Sequence, residues 1–186
     1  MMAEEGETWD VYKVVSDEFP DDDEVGDYDG FVITGSCSDA HGNESWICKL
    51  VNLVKKLDSM RKKIMGICIG HQILCRALGG KTERSHTGWD IGVRTINLSS
   101  SALSFSFLQL PSKLAIIECH QDEVMELPDK AEVIAWSDKT EIEMFRLWRS
   151  HPGHPRPTPS TTKTFLLTSL TSFSNVMKLQ RILLKR

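Results

Sequence analysis

The sequence predicts an α/β fold, a layered sandwich built on a parallel sheet with crossover helices. Two observations carry that reading. The first is a βαβ order: an apolar strand at Gly30–Ile33, a helical stretch from Glu44 to Met60, and a second apolar strand beginning at Arg61–Lys63. The second is the run Gly66-Ile67-Cys68-Ile69-Gly70-His71-Gln72, in which a strand ends in glycine and a helical pattern of Ile73, Leu74, Ala77 and Leu78 follows at once. That order is strand, sharp turn, helix. It is the thiol form of an elbow that exposes a nucleophile.

The 186 residues suit one domain with a substantial core. The composition is ordinary for a globular protein, 40% hydrophobic and 26% charged. A formal net charge of -4 gives no electrostatic case for nucleic acid or an anionic membrane as partner. No apolar run approaches the roughly 20 residues of a membrane span, and the acidic start Met1-Met2-Ala3-Glu4-Glu5 lacks a signal-peptide pattern. The five cysteines, at positions 37, 48, 68, 75 and 119, have neither metal-ligand nor disulfide-framework spacing. Free thiols in a reducing cytosol are the expectation.

Taken in order, the β-branched run Val11–Val15 predicts a short strand. The stretch Asp17–Asp27 holds seven acidic residues and reads as a solvated loop that holds no metal. The strand Gly30–Ile33 breaks at Thr34-Gly35-Ser36. In the helix, Trp46, Ile47, Leu50, Val51, Val54 and Leu57 recur at three and four. Gly66 and Gly70 flank Cys68 because a tight turn needs residues without a Cβ where backbones approach. The helix that starts after Cys68 brings its positive end to the sulfur. This predicts a lowered thiol pKa and makes Cys68 the most reactive of the five thiols. Cys75, seven residues on, falls on the same helix side and is expected in the core.

Leu78-Gly79-Gly80-Lys81 ends the helix at glycine. Thr87–Val93 reads as a loop entering β structure, Arg94–Leu98 as a strand and Ser99–Ser106 as a loop. Leu114–Val124 reads as a strand running into a polar cluster. Ala131–Trp136 and Ile142–Phe145 are two further strands.

Gly66-Ile67-Cys68-Ile69-Gly70-His71-Gln72 resembles the nucleophile motif of class I glutamine amidotransferases, Gly-x-Cys-x-Gly-His-Gln. The resemblance implies a flavodoxin-like layered sandwich of that type. It makes Cys68 the catalytic nucleophile and the Gly-rich turn at Gly35 and Ser36, with the N–H of Ile69, the oxyanion hole. It places His71, Gln72, His120 and Asp122 on the substrate side of the pocket, with His120 a substrate-side or structural residue rather than the base. Further stretches are similar to one branch, the plant γ-glutamyl peptidases: Trp9-Asp10, Asp29–Ser36, Leu78–Lys81, Cys119–Val124 and Glu143–Phe145. That branch is cytosolic and hydrolyses γ-glutamyl bonds of glutathione conjugates, including intermediates of glucosinolate and camalexin synthesis. The implied partner is a small-molecule γ-glutamyl substrate. No metal, cofactor, nucleic acid or membrane is implied, and no oligomeric state.

The chain departs from that pattern in two places. The family opens with a further strand and helix before the Trp9 region. It also carries Gly-His-Pro-Glu after the Met-Phe strand, where the His serves as base and the Glu orients it. Here Gly153-His154-Pro155 is followed by Arg156, and Pro157 and Pro159 break the expected helix. His154 is therefore a weak candidate base. Residues 1–146 are read as a partial amidotransferase-like domain and 147–186 as a divergent, poorly ordered tail rich in Ser, Thr and Pro. Thr158–Phe165 can be back-translated so that a displaced frame gives His-Pro-Glu-Tyr-Asn-Lys-Asp-Ile, so a frame-shifted C-terminus is the expectation. Sequencing the transcript across that junction tests it. Two rival readings remain: a non-catalytic pseudoenzyme or product of a shifted reading frame, and a redox-active thiol of the DJ-1-like type. Gly70-His71-Gln72 and Gln121-Asp122-Glu123 argue against the second.

Overall fold

A computed structural model describes residues 6–103, 111–129 and 131–147. Of the expected tail, 147–186, Leu147 is the buried last residue of a strand; the rest, with His154, lies outside the described residues.

The α/β expectation holds. Strand β1 (Gly30–Ile33) pairs in parallel with β2 (Lys63–Gly66), Gly30 opposite Lys63 and Ile33 opposite Gly66. Helix α1 (Ser45–Ser59) makes the crossover, burying Ile47, Leu50, Val51, Val54 and Leu57 on one face. Helix α2 (Ile69–Ala77) follows β2 directly. Strand β2 is covered on both sides. Ile64 packs into one cluster with α1 and α2, and its neighbour Met65 packs into a second with Ile96, Ile116 and Met144. Consecutive strand residues point to opposite faces, so an uninterrupted apolar run suits a strand buried twice.

The second half of the chain is antiparallel. Strand β3 (Lys81–Arg84) pairs with β6 (Asp122–Glu126). Strands β4 (Asp90–Leu98), β5 (Lys113–His120), β7 (Ala131–Trp136) and β8 (Met144–Leu147) form a sheet in the order β5-β4-β7-β8. A short helix, α3 (Ser100–Leu103), stands where a loop is expected. Among the described residues no helix is long and apolar enough to cross a membrane.

Three local expectations are corrected. Val11–Val15 forms no strand. Val14–Ser16 is a single 3₁₀ turn, with Val11 82% and Val15 60% exposed. β-branched residues favour strands only where a neighbouring strand accepts their backbone. This stretch is instead tied down by side chains: Tyr28 Oη donates to Asp10 at 2.8 Å, and Lys49 pairs with Asp17 at 2.6 Å. The last strand begins two residues later than expected, at Met144. The stretch Leu114–Val124 is two strands, because the chain leaves one sheet at His120 and joins another at Asp122. That change of sheet brings the polar residues of the segment to the elbow.

Candidate active site

Cys68 sits at the junction of β2 and α2 with φ 55° and ψ −116°. A residue with a Cβ in this region stores about 1–3 kcal/mol of backbone strain. The neighbouring glycines allow the geometry by close approach. A Cβ on Gly70 would lie 2.2 Å from the carbonyl oxygen of Ile33, and one on Gly66 would lie 2.4 Å from the backbone of Gly70. Strand β1 and the first turn of α2 are thus in direct backbone contact. The N–H of Ile67 donates to that same Ile33 carbonyl at 2.9 Å.

The turn after β1 lies against the sulfur. A Cβ on Gly35 would stand 3.4 Å from Cys68 Cβ and 3.9 Å from its Sγ. The N–H of Ile69 donates to the sulfur. Ser36 turns inward on its own loop, where its Oγ accepts from the N–H of Ser38 at 3.3 Å. Gly35 and Ile69 therefore stand beside the sulfur, while the Ser36 hydroxyl is occupied locally.

The thiol is not pre-ionised. Burial pushes the Cys68 pKa up, the Ile69 N–H opposes this in part, and the Glu118 carboxylate adds to the rise. This corrects the expectation of a lowered pKa. A helix start helps a thiolate only where desolvation and a nearby carboxylate do not outweigh it. Cys75 is fully buried, as expected, with its thiol pushed up to about 12 by burial.

Cys68 lines a small pocket with His71, Gln72, His120, Asp122, Glu123, Thr140, Ile142 and Glu143. All the residues expected on the substrate side are thus brought together. His71 is 2% exposed and packs its ring on Phe145, with centroids 4.7 Å apart. Burial lowers its pKa to about 3, so it is neutral and weakly basic. Gln72 Nε2 donates to the Asp122 carbonyl at 2.7 Å, and His120 Nδ1 lies 3.0 Å from the same oxygen. A carbonyl only accepts, so Nδ1 of His120 carries the proton. Its Nε2 faces Glu118 Oε2 at 3.4 Å. The Asp122 carboxylate accepts from Arg84 Nε at 3.1 Å and lies 3.5 Å from His41 Nδ1, and Arg84 also reaches Asp39 at 2.6 Å. Neither pocket histidine is set up to take the Cys68 proton: one is weakly basic, and the other has each nitrogen facing another group.

Sequence reasoning missed Glu118, Glu143 and Arg84. A signal for Glu118 was present. Strand β5 alternates exposed and buried, with Leu114, Ile116, Glu118 and His120 all on the inner face. An acidic residue on the inner face of an apolar alternation marks a special environment. Glu143, also fully buried, enters the sequence reading only within the family-like stretch Glu143–Phe145, with no role of its own.

The fold and pocket define a class: an α/β protein presenting one cysteine on a strained strand-to-helix elbow over a polar pocket. Comparison with known proteins gives the family. Residues 4–154 match the model for the class-I glutamine amidotransferase family, and the chain belongs to that family. It is 51% identical over 145 residues to gamma-glutamyl peptidase 5 of Arabidopsis thaliana, covering 76% of this chain and 58% of the relative. To gamma-glutamyl peptidase 3 of the same plant it is 47% identical over 160 residues, covering 82% and 64%. The chain thus spans about six-tenths of the length of these relatives. Among solved structures, a glutamine amidotransferase from Thermotoga maritima superposes with a TM-score of 0.68 at 21% identity, over 85% of this chain and 62% of that one. One from Methylobacillus flagellatus gives 0.64 at 22% identity, over 72% and 52%. At that identity the likeness speaks to the fold alone.

Proposed function

We propose that this chain is a γ-glutamyl peptidase-like hydrolase acting on γ-glutamyl bonds of glutathione or its conjugates, with Cys68 as nucleophile. The observation that carries the reading is the elbow itself. Cys68 is held at positive φ, with the Gly35 backbone on one side and the Ile69 N–H on the other. Relatives named gamma-glutamyl peptidase support the substrate class.

In the proposed cycle the Cys68 thiol gives up its proton and attacks the γ-glutamyl carbonyl. The backbone N–H groups of Gly35 and Ile69, with that of Ser36 beside them, hold the oxyanion. The C–N bond breaks as the leaving amine takes a proton. Water then hydrolyses the thioester, releasing glutamate and restoring the thiol. The weak point is the proton. The thiol is pushed up, and neither His71 nor His120 is placed to accept from it. Base assistance is typically worth ~10²–10⁴-fold, so this chain is proposed to acylate slowly and turn over more slowly still. The five free thiols suit the reducing cytosol, where we place the reaction. The raised thiol also supports a second reading, a pseudoenzyme that binds the substrate without turning it over.

One experiment separates the two. The chain, its Cys68→Ala variant and a form with Gly-His-Pro-Glu restored and extended to the length of the relatives are compared on glutathione. Mass spectrometry follows the glutamyl adduct, and glutamate release follows turnover. A slow adduct on Cys68 with little turnover, and full turnover in the restored form, supports the hydrolase. No adduct in the chain, alongside full turnover in the restored form, supports the pseudoenzyme. Turnover equal to the restored form and lost in Cys68→Ala would mean that another residue of this chain is the base, with His154 and then His120 first to be replaced.

A further inference from the structure

The β4–β5 pair reverses the usual placement of side chains at one end. An antiparallel sheet that is wet on one side normally turns apolar residues to the core and polar ones to water. Here Asp90, Glu118 and His120 are buried on the inner face, and His120 lines the pocket of Cys68. Their outward neighbours are apolar. Ile91 stands opposite Cys119, Val93 opposite Ile117 and Thr95 opposite Ala115, and all six are exposed. Partners in a ladder share a face, so these six form one patch. Trp136 extends it, because it stands opposite Asn97, two residues beyond Thr95 on the same side of β4. Trp89 adds to it just before β4 begins. The pattern is no accident of register. A one-residue slip of β5 would turn Glu118 and His120 away from the pocket.

The size of the patch sets what it can do. Trp89 is 56%, Ile91 62%, Val93 66%, Ile117 46% and Trp136 39% exposed. For side chains of this bulk that leaves on the order of 500 Å² open. Thr95, Ala115 and Cys119 bring the patch to roughly 650 Å², above the ~300–600 Å² of the largest apolar patch on a typical monomer. A stable dimer buries about 800 Å² per partner, an area the face reaches once its polar rim, Asn97 and Lys113, is included. Its charge fits the same occupant. The centre of the patch carries no charged residue. A face built for an acidic or basic partner shows the complementary charge. This one can meet a copy of itself without like-charge repulsion.

We infer that this face packs on the same face of a second copy of the chain, forming a two-fold symmetric dimer with the two sheets about 10 Å apart. Val93 and Ile117 lie at the middle of the patch and so meet the second copy near the symmetry axis. Strand β5 then has the pocket's His120 on one side and the second copy on the other. The inference rests on the sheet alone and stands apart from the hydrolase reading.

Sedimentation velocity of the full 186-residue chain in reducing buffer, from about 1 to about 100 µM, tests it. A monomer–dimer equilibrium within that range is expected. Val93→Glu and Val93→Lys each set like charges against each other across the axis, and each should weaken the dimer at least about tenfold. Mixing the two variants should restore it, because unlike charges then meet; only a face that pairs with itself behaves so. Lys55→Glu, an exposed change on α1, should leave the dimer alone. Alkylation gives a second readout: raising the protein concentration should slow the labelling of Cys119 and not that of Cys37. Where a charge at Val93 prevents folding, Ile91→Thr and Ile117→Thr keep a β-branched residue in the strand and should weaken the dimer as well. A chain still monomeric at about 100 µM, a dimer that Val93→Glu leaves intact, or a mixture that stays monomeric overturns the proposal. A monomer whose Cys119 labels slowly at every concentration also overturns it, and puts residues 148–186 of the same chain on the face.

Discussion

Gly70→Ala is the sharpest probe of how the elbow is held. The added Cβ would lie 2.2 Å from the Ile33 carbonyl oxygen and 2.9 Å from the carbonyl carbon and Cβ of the same residue. Ordinary non-bonded contacts sit near ~3.5 Å, so the overlap with the oxygen is about 1.3 Å. The carbonyl cannot swing away, because it accepts the Ile67 N–H at 2.9 Å. Helix α2 must therefore withdraw from β1 by on the order of 1 Å, loosening the contacts of Ile69, Ile73 and Leu74. Overpacking of this kind costs about 1–3 kcal/mol, occasionally more, and the upper end is expected where backbone meets backbone. The control is Gly79→Ala. Gly79 has φ 99° and nothing within 4 Å of an added Cβ, so it carries backbone strain of about 1 kcal/mol alone. Urea unfolding measures both. Gly70→Ala should be the more destabilised and should change the labelling rate of Cys68, while Gly79→Ala should leave that rate alone. A Gly70→Ala protein within about 0.5 kcal/mol of wild type, or one more stable than Gly79→Ala, would refute the close-approach argument.

Gly35→Ala should leave stability unchanged, because its Cβ would meet Cys68 at ordinary distances of 3.4 and 3.9 Å. It should nonetheless slow Cys68 alkylation by occupying the space beside the sulfur. Near pH 7.5, exposed Cys37 and Cys119 should label before Cys68, and Cys75 last, as read by timed alkylation and peptide mapping. Cys68 labelling first would restore the pre-ionised thiolate. His71 has a folded pKa lowered to about 3, so its stabilising contribution is present above the unfolded value near 6.5 and is lost as pH falls through that value toward 3. The loss reaches about 4 kcal/mol by pH 3. His71→Gln should flatten that acid limb in urea titrations, and an unchanged limb would count against the buried neutral ring.

The βαβ half of the fold was legible because its signals are local and redundant. The spacing of Ile47, Leu50, Val51, Val54 and Leu57 defines one helix face, and Gly66, Cys68 and Gly70 mark one turn. The antiparallel half was legible strand by strand but not in its pairing. Nothing local in Leu114–Val124 says that the chain changes sheets at Gln121; partners decide it, with β4 taking His120 and β3 taking Asp122. Val11–Val15 failed for the converse reason, since its propensity met no partner strand among the described residues. At the site, Cys68, His71, Gln72, His120 and Asp122 were found by motif. Glu118 was not, because inward placement of a charge shows in the alternation of the strand rather than in any motif, and Glu143 stood in a family-like stretch without a role.

The direction of the thiol pKa shift follows from the same distinction. Sequence places a helix start next to Cys68, and that contribution is favourable and short-ranged. Structure adds what sequence could not weigh. The sulfur is half-buried, and Glu118, on the inner face of β5, acts on it with its charge. Both effects disfavour the anion, and they outweigh the single Ile69 N–H. A cysteine elbow of this kind therefore holds its thiol beside the Gly35 turn and the Ile69 N–H and keeps it protonated. On the hydrolase reading, catalysis waits on a group that removes the proton as the substrate arrives. The acidic lining of the pocket, with Asp122, Glu123 and Glu143, opposes a bare thiolate. Glu118→Gln tests this: it should lower the Cys68 pKa, seen as faster alkylation at fixed pH. If the alkylation rate stays put, Glu118 does not act on the sulfur, and the account of why this thiol stays protonated fails.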